Sequence, residues 1–121
     1  MTNTAKALYQ FFSSFGLDAY VEYSVPDEAQ LPYITYQVIE PDWKESATIY
    51  ARVWYRSTSY AAINAKVDVI RAAIGEGVSL PTDNGAVYLT KAAPFAQNMP
   101  MEGDPNLKVV YLLFNIQAPT F

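Results

Sequence analysis

Few side chains in this sequence are arranged so that they could react with or hold another molecule. Tyr50, Arg52, Trp54 and Arg56 recur at every second position of Ala47-Thr48-Ile49-Tyr50-Ala51-Arg52-Val53-Trp54-Tyr55-Arg56, so an extended strand puts them on one face. Arg, Trp and Tyr dominate contact energetics between proteins, and the face reads as an interaction surface. The alternative is a second layer of the same domain, with an N-terminal helix covering the face and the arginines snorkelling to its edge. A second group is acidic: Asp18, Glu22, Asp27, Glu28, Glu40, Asp42 and Glu45 stand against one lysine, Lys44, in the stretch they span. A bias of this kind commonly makes a solvated face. Glu102 and Asp104 lie near backbone carbonyls in a turn and could touch a hard cation. The other ligand positions of a calcium-binding loop are missing, which favours a turn with surface carboxylates.

Absences narrow the function further. With no histidine, the usual general base, pH switch and commonest metal ligand are missing. With no cysteine, there is no disulfide framework, thiolate metal site or thiol redox chemistry. The chain has no GxGxxG, P-loop, GxSxG or HExxH motif, and no pair of carboxylates is singled out for glycoside chemistry. The expectation is a protein that is not an enzyme and takes no cofactor or metal. A small-molecule-binding or hydrolytic domain is the alternative, and it would require a cleft holding carboxylates of raised pKa. A net charge of −4 with only eight basic residues argues against a nucleic-acid binder that neutralises phosphates.

Composition adds a bias toward contact. Hydrophobic residues make up 51% and charged residues 17%, against about 25% charged in an average soluble domain, which leaves apolar surface to hide. Ten tyrosines fit either a partner surface or a β-rich fold. There is no signal-peptide layout and no apolar run near the ~20 residues of a membrane span, so the chain reads as a cytosolic, unprocessed product without membrane contact.

Periodicity sets the strands and helices that carry these side chains. Ala47, Ile49, Ala51, Val53 and Tyr55 form the core face of the central strand. After Ser57-Thr58-Ser59, whose hydroxyls can cap backbone N–H groups, Ile63, Val67, Ile70 and Ile74 recur at helical spacing until Gly75 and Gly77 stop the helix. An N-terminal helix is predicted over Thr4 to Phe15, with Ala5, Leu8, Phe12 and Phe15 in its stripe and Gly16 as its stop. Strands are predicted over Asp18 to Val25, ended by Pro26, and over Tyr33 to Ile39, which pairs with the central strand as a hairpin. A short extended piece, Val78 to Pro81, turns at Asp83-Asn84-Gly85 into a strand from Ala86 to Ala92 that Pro94 closes. Phe95 to Asn106, with Met99 and Met101, is the longest irregular segment, and loops of that length tend to be functional. The last strand, Leu107 to Ala118, is apolar on both faces and should be central. One α+β domain over residues 1–121 accounts for these elements at a common domain size.

Several stretches together resemble the tail-terminator, or tail-completion, proteins of long-tailed bacteriophages, some of them described as minor capsid or head–tail joining proteins. The likeness spans nearly the whole chain. It is carried by the N-terminal helix, Leu31-Pro32-Tyr33-Ile34-Thr35-Tyr36, Val53-Trp54-Tyr55-Arg56-Ser57 leading into Val67-Asp68-Val69-Ile70, Val87-Tyr88-Leu89-Thr90 and Pro94-Phe95-Ala96-Gln97. The resemblance implies a small mixed, mainly antiparallel sheet packed with two helices. It also implies a virion location at the tail–head junction, after synthesis in the host bacterial cytoplasm. The implied role is structural: a homo-oligomeric ring, as a hexamer, caps the tail tube and contacts tail-tube protein and head–tail connector proteins, while DNA passes through without specific binding. Another neck or head-completion protein is the alternative. On this reading Tyr50, Arg52, Trp54, Arg56, Met99 and Met101 face a neighbouring subunit or partner. Asp27, Glu28, Glu40, Asp42 and Glu45 would line the bore, where carboxylates repel DNA phosphates.

Overall fold

Residues 3–39, 46–83, 85–99 and 103–117 are described in the computed structural model. They form α1 (Asn3–Ser13), β1 (Asp18–Val21), β2 (Tyr33–Tyr36), β3 (Ser46–Arg56), α2 (Ala61–Ile74), β4 (Val78–Thr82), β5 (Gly85–Met99) and β6 (Leu107–Gln117). The strands make one sheet in the order β1-β2-β3-β6-β5-β4. Only β1 and β2 run parallel, and the remaining pairs are antiparallel. The fold is therefore the small α+β class, with a mixed and mainly antiparallel sheet and two helices, that the sequence and its resemblance predict.

The centre of the sheet is the β3–β6 pair, in register without a break from Ser46↔Gln117 to Arg56↔Leu107. That pairing sets Ile49, Ala51 and Val53 beside Phe114, Leu112 and Val110 on one face, all buried. Both helices pack there. Phe12 of α1 stacks on Tyr36 with ring centres 4.8 Å apart and meets Phe114 edge-on at 5.6 Å. Ile63, Val67, Ile70 and Ile74 of α2 are buried in the same core cluster. The α1 helix touches β1 at one edge of the sheet and β4 at the other, so the sheet curls around it.

Local chemistry explains where the elements end. Ser13 Oγ donates to Tyr9 O at 2.5 Å and Ser14 Oγ to Phe11 O at 2.6 Å. These hydroxyls satisfy carbonyls at the helix end, so α1 stops two residues before Phe15, and Gly16 at φ 80 redirects the chain. At the start of α2, Ser59 Oγ accepts the Ala61 N–H at 3.3 Å and Ser57 Oγ accepts that of Ser59 at 3.3 Å. The N-cap position itself is Tyr60, which makes no side-chain cap bond.

Three strand predictions are corrected. β1 ends at Val21, four residues before Val25, because Tyr23 takes a left-handed φ of 67 and turns the chain ahead of Pro26. β2 ends at Tyr36, and Val38 and Ile39 only pack against the core from outside the ladder. The largest difference is β5, which continues through Pro94 to Met99. Between Lys91↔Phe114 and Ala96↔Leu112, five residues of β5 advance against two of β6. Pro94 thus sits in a bulge, where its missing N–H interrupts no ladder bond. The first five residues of the predicted 95–106 loop, Phe95 to Met99, are strand. β6 is central, as predicted, and Ala118 lies outside the described residues.

Candidate interaction surface

Alternation along the strands places Tyr20, Tyr33, Thr35, Tyr50, Arg52, Trp54, Val109, Tyr111, Leu113, Gln97 and Met99 on the sheet face opposite both helices. Among the described residues, no helix or strand lies over this face. Cover by α1, the alternative left open by the sequence, does not occur, because Phe12 is engaged with Tyr36 and Phe114 on the other side.

Two clusters organise the face. In the first, Arg52 lies with its guanidinium carbon 4.7 Å from the Tyr111 ring centre and 5.3 Å from that of Tyr50. The two rings stack at 5.8 Å and 9°. Arg52 Nη2 is 3.3 Å from Glu22 Oε1, and the Tyr50 hydroxyl donates to both Glu22 oxygens at 2.6 and 2.8 Å. The bond to Glu22, followed by desolvation, pushes the Tyr50 phenol above its ordinary pKa. Arg52 Nε is buried without a hydrogen-bond partner among the described residues. In the second cluster, Tyr20 meets Tyr33 edge-on at 5.7 Å, and Tyr33 lies 6.1 Å from Trp54. Trp54 Nε1 donates to Thr35 Oγ1 at 3.0 Å and so satisfies a buried hydroxyl. Val109 and Met99 continue the row that begins Asp18↔Tyr33↔Trp54.

Arg56 stands apart from both clusters. Its Nη1 is 2.8 Å from Asp104 Oδ2, on an exposed rim. The Asp104 carboxyl also accepts the Asn106 N–H at 3.1 Å, and the Arg56 bond first and the Asn106 bond second hold its pKa below the usual value. This carboxylate braces a turn. Among the described residues, no group of His, Cys, Asp or Glu could hold a metal ion.

Of the remaining predicted residues, Asp27 and Glu28 are exposed in the β1–β2 connection, and Met99 is half-buried on the open face. Met101, Glu40, Asp42 and Glu45 lie outside the described residues. Sequence reading missed Glu22, Tyr111 and Tyr20 as members of the face. The second apolar stripe of the last strand, Leu107-Val109-Tyr111-Leu113, was the available signal for Tyr111. Nothing local marks Glu22, because its partners come from β3.

The fold resembles that of a virion chain. A chain of the "Virion of native gene transfer agent (GTA) particle" superposes with a TM-score of 0.67 at 16% identity, over 96% of this chain and 97% of that one. At that identity the likeness establishes a common fold. No family model and no curated protein sequence matches the chain. No helix among the described residues is long and apolar enough to cross a membrane.

Proposed function

We propose that this chain is a non-enzymatic structural subunit of a bacteriophage-type virion, acting as a ring that ends tail polymerisation and joins tail to head. The observation that carries the reading is the end-to-end likeness to a gene transfer agent virion chain, with 96% and 97% of the two chains covered. The resemblance to tail-terminator proteins points the same way. The open face, bearing Tyr50, Arg52, Trp54 and Met99, is the kind of surface a subunit buries against neighbours, tail-tube protein or head–tail connector proteins. A ring needs heterologous contacts that close. Asp27 and Glu28, exposed together, would face the bore and keep passing DNA from sticking.

Negative-stain images of the purified protein, with light scattering at high concentration, test the reading. Closed rings that bind the end of tail-tube protein are the expected result. A protein that stays monomeric, alone and with the tube protein, overturns it. The same fold likeness also serves another neck or head-completion protein, and binding to connector proteins with no affinity for the tube end would select that alternative.

A further inference from the structure

Among the described residues, two unpaired edge segments of the sheet match each other. β1 forms one edge, and its four residues occupy four successive rows: Asp18↔Tyr33↔Trp54↔Val109↔Met99, then the rows of Ala19 with Asn98, Tyr20 with Gln97 and Val21 with Ala96. At the other side, β4 pairs with β5 only over Gly85 to Leu89. Among the described residues, no strand pairs with the outer side of Ala96 to Met99. Two free edges of equal length therefore lie at the same height, four strand spacings apart.

Direction matches as well. β1 is parallel to β2, which is antiparallel to β3; β6 opposes β3 and β5 opposes β6. β5 therefore runs antiparallel to β1. A second copy in the same orientation would bring its β1 against β5 as an antiparallel neighbour, the pairing favoured by alternating perpendicular hydrogen bonds. Its Tyr23 turn would then fall level with the bulge of the first copy, below the point where β4 begins at Val78↔Leu89. Natural edges are commonly guarded by charge or proline. Ala96-Gln97-Asn98-Met99 carries neither.

We infer that β1 of one copy adds to the outer edge of residues 96–99 of the next, with Tyr20 opposite Gln97 and Asp18 opposite Met99, joining copies head to tail through one continuous sheet. This deepens the ring reading and rests on it. The contact is heterologous, so it propagates until curvature closes it.

Because the chain has no cysteine, Tyr20→Cys combined with Gln97→Cys tests the register directly. Within one copy the two positions are four strands apart, about 19 Å along the sheet, well beyond the ~7 Å that a disulfide spans. Oxidation with copper phenanthroline should give a ladder of three or more linked chains on a non-reducing gel. Each single variant should stop at dimers. Tyr20→Cys with Asn98→Cys, one row off and on the opposite face, should give no ladder. Asp18→Cys with Met99→Cys is a second pair in register, and circular dichroism of each variant checks folding. Rings that form by microscopy while both in-register pairs fail to ladder overturn the edge pairing and leave the ring. A monomeric protein without cross-links overturns both.

Discussion

Replacing Arg52 by methionine removes the charge at the centre of the open face while keeping an apolar stem. The guanidinium carbon lies 4.7 Å from one tyrosine ring and 5.3 Å from another, and each such contact contributes about 0.5–1 kcal/mol. The ion pair with Glu22 has side chains 26% and 11% exposed; after discounting for solvent it adds about 1 kcal/mol. Against these stands the buried Nε, which has no hydrogen-bond partner among the described residues and whose desolvation costs at least about 1 kcal/mol. Glu22 keeps its two bonds from Tyr50, so it is not orphaned. The net loss expected for Arg52→Met is about 1–2 kcal/mol, read as a lower urea midpoint at unchanged slope by tryptophan fluorescence. Arg52→Lys should lose less, since it keeps the charge and removes the unpartnered nitrogen. An Arg52→Met protein as stable as the parent would refute this accounting and show that the unpartnered Nε outweighs the stacking.

Four further outcomes are expected. Trp54→Ala should cost about 1–3 kcal/mol in folding, from the Tyr33 contact and the Thr35 bond, and should weaken self-association at least about tenfold by sedimentation velocity if the face is an interface. Gly77 has φ 147, and Tyr88 Cζ stands 2.6 Å from where a Cβ would be; Gly77→Ala should therefore lower stability by about 1–3 kcal/mol in thermal unfolding. Tyr50 has a folded pKa raised by its bond to Glu22, so its contribution is present below the unfolded value of about 10 and fades as pH rises through the folded value. Tyr50→Phe should flatten the stability curve in that alkaline range. Asp104 is shifted down by Arg56 and then Asn106, so its contribution is present above the unfolded value of about 3.9 and is lost as pH falls through the folded one. Denaturant titrations from pH 5 to 2 should show a shallower acid limb for Asp104→Asn.

Element type was legible wherever periodicity was strong. β3 and α2 follow directly from a change of period from two to 3.6 between Arg56 and Ile63. Strand ends were less legible, because they depend on backbone events that residue type does not announce. Tyr23 adopts a left-handed conformation that an aromatic residue seldom takes. Pro94 reads as a terminator, yet β6 supplies a partner on which β5 can bulge and resume.

Alternation alone determined that Tyr50, Arg52, Trp54 and Arg56 share a face, since a strand has only two. Whether that face was covered could not follow from alternation, because it depends on which side of the sheet α1 takes. Phe12 decides the matter by stacking on Tyr36 and meeting Phe114 edge-on, residues separated from it by long stretches of chain. Glu22 joins Arg52 and Tyr50 for a similar reason: the β1–β2–β3 register carries it there. Local sequence sets the two faces of each strand, and long-range burial chooses which one meets solvent.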